Sequence, residues 1–437
     1  MTTQTFDQLP REAARAICLW SFCWYTHAAP GEEYADLDAA ARECADRGFD
    51  TLRVCGMPSY VSRSVRTGLD ELELLNWEGG VTDNLRWYNF RGDITIQPAA
   101  RLIDLCRAAQ ANGLKLILSN WDFNQSFKFE RSGELQRTLD ELPTIEAMFQ
   151  HIADVMLDSL ELIDQHDLLD VIWAVEITNE LESPEIGPLS RLGTDSQEGP
   201  KGTEAGARQH LHEVTRPMIE ECIEQLRSRF PELKYAVDTV WPWADSSAPT
   251  NLDLIAINGY ITDTALLGDY RALFSDGDVW QGDVLDEKVR HLLLPDAPSY
   301  RAWREGLGTS IRDPYFPQCY LATWADPDRF FQFFDEVWRR AEDGAKSQMQ
   351  QWIREATQLS SDLDVPWYFG EGYATTISLT SLWDSGSSAR DFHRWVAEQL
   401  RAAGAIGWTP SSAASPEQTD IWPLEAWVKD MNALVRA

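Results

Sequence analysis

A rhythm constrains this chain most: short apolar or β-branched runs alternate with longer amphipathic ones along nearly its whole length. Strands of a parallel sheet are buried on both faces and therefore read as continuous apolar runs, and each return to the same end of the sheet needs a helix-length crossover. Runs of this kind occupy residues 16–22, 51–55, 114–121, 170–180, 235–241, 254–260, 367–372 and 405–408. Amphipathic stretches at 34–47, 98–111, 144–163, 210–228, 328–359 and 388–403 lie between them, while 184–208 is rich in Gly, Ser, Pro and charge and reads as loop. Eight strands with helical sequence after them is the count of a (β/α)8 TIM barrel, an α/β fold. The expectation is one domain over residues 1–437, with long βα loops and an insertion of about residues 261–326 between strands 6 and 7.

Two of these runs end on a carboxylate. Val175-Glu176-Ile177-Thr178-Asn179-Glu180 closes the fourth, and Trp367-Tyr368-Phe369-Gly370-Glu371-Gly372 closes the seventh. Desolvating a carboxylate in a strand costs several kcal/mol unless the charge is paired or put to use. Side chains alternate along a strand, so Glu176, Thr178 and Glu180 share one face, with Glu180 at the carboxyl-end rim where barrels of this kind place their chemistry. Glu371 sits across that rim. Glycoside hydrolysis is the chemistry that most directly asks for two carboxylates facing one bond, and retention needs them about 5–5.5 Å apart.

Composition narrows the partners. With 38 basic against 70 acidic residues the formal charge is −32, which argues against phosphate backbones and anionic membranes. The seven Cys (18, 23, 44, 55, 106, 222, 319) are odd in number and scattered, neither a disulfide framework nor a zinc site. The first residues, Met1-Thr2-Thr3-Gln4-Thr5-Phe6-Asp7, lack a basic start and an apolar run, and no stretch reaches the roughly 18 apolar residues of a membrane span. A cytoplasmic chain is the expectation. The 19 Trp residues exceed what a core needs, and sugars present C–H faces that stack on aromatic rings.

On the two glutamate motifs the chain resembles a retaining glycoside hydrolase of clan A, the superfamily that includes family 5 cellulases and mannanases. Glu176-Ile177-Thr178-Asn179-Glu180 is similar to the family 5 pattern Glu-(Leu/Ile)-x-Asn-Glu-Pro, and departs from it at Leu181. The likeness spans roughly residues 15 to 410. It implies that Glu180 is the acid/base and Glu371 the nucleophile. It places Arg53 beside the nucleophile, where a cation holds a carboxylate ionised; the alternative is a buried bridge from Arg53 to Glu176. It gives Asn179 the sugar 2-hydroxyl, Tyr260 a contact with the nucleophile, and Trp408 a stacking face under the reacting sugar. Family 5 members usually carry His near the ends of strands three and six; here those places read Ser119-Asn120-Trp121 and Asn258-Gly259-Tyr260. Asn120, Trp121 and Trp241 join the substrate-binding candidates from their strand-end positions.

The expected activity is hydrolysis of O-glycosyl bonds by double displacement, on a short glycoside and in the manner of an exo-acting β-glycosidase. The loop carrying Trp77, Trp87, Tyr88 and Phe90 and the insertion around Trp280 to Trp324 are the walls that would turn a cleft into a pocket. No cofactor and no metal is called for, the partner is a small carbohydrate, and nothing speaks to oligomeric state. A transglycosylase of the same clan shares the covalent intermediate. A carbohydrate-binding barrel without activity shares the scaffold, though not a reason to keep both glutamates. No Gly-x-Ser-x-Gly elbow, HExxH, Walker loop or Gly-x-Gly-x-x-Gly occurs.

Overall fold

The computed structural model describes residues 14–63, 70–74, 90, 94–195, 204–240, 243, 247–260, 287–306, 320–321, 323–373 and 381–436. Eight parallel strands close into a barrel. They are β1 (Arg15–Ser21), β2 (Thr51–Cys55), β3 (Lys115–Ser119), β4 (Ile172–Glu176), β5 (Tyr235–Thr239), β6 (Leu254–Tyr260), β7 (Trp367–Tyr373) and β8 (Gly407–Trp408). Each pairs with its neighbour in sequence, and β8 returns to β1. The expected barrel is what forms.

The crossover helices start where the sequence supplies caps. Asp36 accepts from the Ala39 amide at 3.0 Å to open α1 (Leu37–Asp46), and α2 (Pro98–Ala111) opens on a proline whose missing N–H has no partner to lose. Thr144 accepts from Ala147 at 3.2 Å to open α3 (Ile145–Asp164). After α4 (Glu204–Arg229) comes α5 (Pro327–Leu363), capped by Asp326, and then α6 (Ser387–Ala403). The 184–208 stretch departs from expectation, since a helix covers Gly187–Asp195 and α4 begins at Glu204. The buried Ile186 and Leu189 anchor the short helix, too few apolar residues to show a period.

Inside the barrel, Ile17, Ile117, Trp173, Ala174, Ala236, Leu254, Ala256 and Tyr368 form a buried hydrophobic plug. Polar side chains begin above it, toward the carboxyl ends of the strands. The larger core, including Val54, Leu118, Val175, Val237, Ile255 and Phe369, lies in the layer between sheet and helices. This two-sided burial explains why the strands read as near-continuous apolar runs.

Two strand ends differ from simple alternation, and both position the site. β4 stops at Glu176, so Thr178 and Glu180 are not on a strand face with it as expected. Glu180 instead takes a left-handed backbone (φ 45°), which ends the extended run. In β7 the register slips: Ile257 pairs with Phe369, but the next residue, Asn258, pairs with Glu371. Gly370 is the extra residue of this bulge. Phe369 faces the outer layer, and the slip lets Glu371 turn into the barrel beside Arg53. A Cβ on Gly370 would lie 3.0 Å from Arg53 Nε, a tight contact against a buried and multiply bonded guanidinium, which favours glycine at the bulge.

Candidate active site

Arg53 is the hub. It projects from β2, is fully buried, and donates on all sides. Nε reaches both carboxylate oxygens of Glu176 at 2.9 and 3.1 Å, and Nη2 reaches Glu176 Oε2 at 2.8 Å. Nη2 also donates to Asn179 Oδ1 at 2.9 Å and Asp238 Oδ2 at 3.1 Å, while Nη1 donates to Glu371 Oε1. Both readings of Arg53 are thus realised together, the buried bridge to Glu176 and the contact with Glu371. The guanidinium carbon lies 5.4 Å from the Trp121 ring centroid, and Trp121 Nε1 donates to Ser119 Oγ at 2.9 Å. One permanently charged fork is shared by three carboxylates from β4, β5 and β7.

Glu371 has a second donor. Tyr260 Oη, at the end of β6, donates to Glu371 Oε2 at 2.5 Å and lies 3.0 Å from Ser412 Oγ, which accepts from the Gly372 amide at 2.8 Å. Burial and the adjacent Glu371 charge push the Tyr260 phenol up, so it keeps its proton and acts as a donor. Below, Tyr368 Oη gives Glu176 Oε1 a bond of 2.5 Å, its phenol raised by burial and by the Glu176 charge.

Glu180 is surrounded differently. It is half-buried, and its carboxylate oxygen Oε1 receives one neutral donor, Asn258 Nδ2, at 3.3 Å. Burial first, and the Glu371 charge second, push its carboxyl up to about 8. Its left-handed backbone, a conformation that costs a non-glycine residue about 1–3 kcal/mol, is fastened to β5. The Glu180 amide donates to Asp238 Oδ2 at 3.1 Å, and Leu181 N–H donates to Asp238 O at 3.1 Å. Leu181 stands where the family 5 pattern has proline, which has no N–H for this bond.

The remaining candidates divide. Asn179 joins the cluster through Arg53 and lies 3.5 Å from Asn258 Nδ2. Asn120 is buried beside it, its C=O accepting from Asn179 N at 2.9 Å and its side-chain oxygen from Asp122 N at 2.9 Å. Asn120 Nδ2, Thr178 Oγ1 and Asn258 Oδ1 have no hydrogen-bond partner among the described residues. Trp408 pairs with Ala16 and Phe369, residues of the outer packing layer, and is buried with its indole N–H unpartnered among the described residues. The structure therefore places Trp408 in the core layer between sheet and helices, level with Phe369. Trp241 lies outside the described residues, as do Trp77, Trp87, Tyr88 and Trp280; Phe90 is buried.

Three members escape sequence reasoning: Asp238, Tyr368 and Ser412. Asp238 carried a usable signal, a carboxylate inside the apolar run Tyr235–Thr239, the same anomaly that marks Glu176. Tyr368 reads as an ordinary strand aromatic, and Ser412 lies in a loop without local pattern.

With this geometry in hand, comparison with known proteins settles the family. A family model described as sugar-binding cellulase-like matches residues 17–258, more than half of the chain. The chain belongs to the sugar-binding cellulase-like family. The cellulase-like resemblance of the sequence is thereby borne out, although the matched span ends at Asn258 and leaves β7 with Glu371 outside it. The cellulase-like barrel is similar to a solved putative glycoside hydrolase from Parabacteroides distasonis ATCC 8503, at 15% identity and TM-score 0.65, covering 97% of this chain and 94% of that one. A family 5 mannosidase from Rhizomucor miehei aligns at 10% identity and TM-score 0.44, over 98% of this chain and 94% of that chain. The first likeness, at 15% identity, speaks to fold alone, and the second adds nothing to it. No curated protein matches the chain. Among the described residues no helix is long and apolar enough to cross a membrane.

Proposed function

We propose that this chain is a retaining glycoside hydrolase that cleaves O-glycosyl bonds by double displacement, with Glu371 as nucleophile and Glu180 as acid/base. The observation that carries the proposal is the contrast between two neighbouring glutamates. Glu371 accepts from a fixed cation and a phenol, whereas Glu180 faces a neutral amide and is pushed up to about 8. One carboxylic acid that keeps its proton at neutral pH, beside a carboxylate held by Arg53, is the division of labour the reaction needs.

In the first step a Glu371 oxygen forms a bond to the anomeric carbon as the glycosidic C–O bond breaks, and Glu180 passes its proton to the departing oxygen. In the second, Glu180 takes a proton from water, whose oxygen displaces Glu371 and restores the starting anomeric configuration. Arg53 and Tyr260 hold the attacking carboxylate in place. The buried atoms Asn120 Nδ2, Asn258 Oδ1 and Thr178 Oγ1, without a hydrogen-bond partner among the described residues, suit a ligand rich in hydroxyls. Asn179 is the candidate for the sugar 2-hydroxyl and Trp121 for an apolar sugar face. Exo action on a short β-glycoside is the finer part of the proposal; much of the loop and of the insertion on which the sequence expectation rests lies outside the described residues.

A panel of aryl β-glycosides (gluco, galacto, manno, xylo) with purified protein tests the proposal. Turnover of at least one member is expected, lost in Glu371→Ala and reduced in Glu180→Ala by a factor that grows as the leaving group worsens. Binding without turnover across the panel would favour a carbohydrate-binding barrel instead.

A further inference from the structure

One carboxylate links the surroundings of the two glutamates. Asp238 Oδ2 accepts from the Glu180 main-chain amide at 3.1 Å and from Arg53 Nη2 at 3.1 Å, and Arg53 Nη1 in turn holds Glu371. The same residue serves the turn through its backbone: Asp238 N donates to Thr178 O at 3.2 Å and Asp238 O accepts from Leu181 N at 3.1 Å. Four links therefore leave Asp238 toward the catalytic apparatus, two from the side chain and two from the main chain. Asp238 is fully buried on the rigid strand β5, whereas Glu180 lies beyond the end of β4 in a left-handed conformation that does not hold itself.

We propose that Asp238 is a positioning residue, whose single oxygen Oδ2 fixes the backbone of Glu180 and the fork of Arg53 at once and so aims both glutamates at one bond. The proposal rests on the roles given above to Glu180 and Glu371. Asp238 touches no reacting atom. Its effect passes mainly through Glu180, since Arg53 keeps a bidentate grip on Glu176, whereas the Glu180 amide has Asp238 as its acceptor. The charged groups that face this pair are Arg53, Glu176, Glu371 and Glu182. Glu182 makes a separate tie of the same turn, accepting from Val240 N at 3.0 Å and lying 2.8 Å from His212 Nε2. That tie lets the turn keep its fold when the Asp238 side chain is cut back.

Leaving-group dependence separates aiming from mere stability, because a departing dinitrophenolate needs no proton whereas phenolate does. Asp238→Ala is expected to lower kcat/KM for phenyl glycosides by about 100-fold and for dinitrophenyl glycosides by less than about 5-fold, the range in which a positioned acid acts. Asp238→Asn, which retains an acceptor oxygen and puts its NH2 at the Oδ1 position, free of partners among the described residues, is expected to stay within about 10-fold of wild type on both. Should the alanine variant not fold, Asp238→Ser is measured in its place, with the same split expected. Equal losses on the two leaving groups, or an asparagine variant as impaired as alanine, would overturn the proposal. Glu180→Ala is run alongside. A split there but none at Asp238 removes the role of Asp238 alone, and no split at either removes the assignment of Glu180 as well.

Discussion

Glu180 and Glu371 are the same side chain placed in opposite company. Glu371 ends a strand, beside Arg53 and under the hydroxyl of Tyr260, so both its oxygens are held by strong donors. Glu180 lies past the end of its strand on a turn, with Asn258 as a neutral donor at 3.3 Å, and burial followed by the Glu371 charge pushes its carboxyl up to about 8. On the proposed roles, the difference is how a barrel makes two functions from one residue type. A guanidinium at the centre is spent on the carboxylates it can reach from β2, namely Glu176, Asp238 and Glu371, and Glu180 is left with the like charge of Glu371 and, among the described residues, no ion pair. What separates the two is their order of access to a single cation.

The largest expected effect falls on the Arg53-held side. Glu371→Ala should reduce turnover of the best aryl glycoside by roughly 10⁴-fold or more, since no other group can take the covalent role. Added azide should restore part of the rate and give the glycosyl azide of inverted configuration. A variant that keeps more than a few per cent of the rate without azide would break the contrast at once.

Glu180→Gln is expected to slow substrates with poor leaving groups by about 10²–10⁴-fold and to remove the alkaline limb of the activity profile, which wild type should show near pH 8. The same shift has a consequence for stability. Between the usual carboxylate range and about 8 the folded chain keeps a proton at Glu180 that the unfolded chain has lost, so stability falls as pH rises through that window. The Gln variant has no such loss. Its melting temperature should exceed that of wild type by a margin that grows from pH 5 to pH 8. A margin independent of pH would mean that Glu180 titrates as an ordinary exposed carboxylate.

Arg53→Met addresses the hub rather than either glutamate. Removing the cation leaves Glu176 and Asp238 buried without a charge partner, and losses of about 3–5 kcal/mol follow when one side of a buried pair is deleted. Chemical denaturation at two pH values reads this directly. The loss should shrink as pH falls, because protonating the stranded carboxylates relieves it. The smallest effect is expected from Tyr260→Phe. One hydrogen bond to a charged group is worth about 1.5–3 kcal/mol, a fall of roughly 10–100-fold in kcat/KM with the fold intact.

The contrast was only half legible in the sequence, for physical reasons. Barrel strands betray themselves because both faces are buried, and residues 51–55 and 254–260 were delimited as the structure has them. Glu371 stood out as a carboxylate between glycines. The reason for Gly370 stayed hidden, because a bulge depends on the register with β6 and on the bulk of Arg53 across the barrel, neither of which is local. Period-two alternation placed Glu180 on a strand face with Glu176, yet the strand had already ended, and nothing in Thr178-Asn179-Glu180 announces a left-handed glutamate. Asp238 was visible as an anomaly in β5. Its role is not legible there, because it depends on contacts with Arg53 of β2 and with the turn after β4, neither of which is local.

The measurement that bears most directly on the account is the anomer formed first. Glu180, past the end of β4, and Glu371, at the end of β7, lie close enough for the charge of one to raise the carboxyl of the other, and the proposal is that they form and break a covalent intermediate rather than hold a water between them. Proton NMR of a β-glycoside digest, read within the first minutes before mutarotation, should show the β-anomer of the released sugar. Early appearance of the α-anomer would contradict the double displacement and, with it, the division of roles between Glu371 and Glu180.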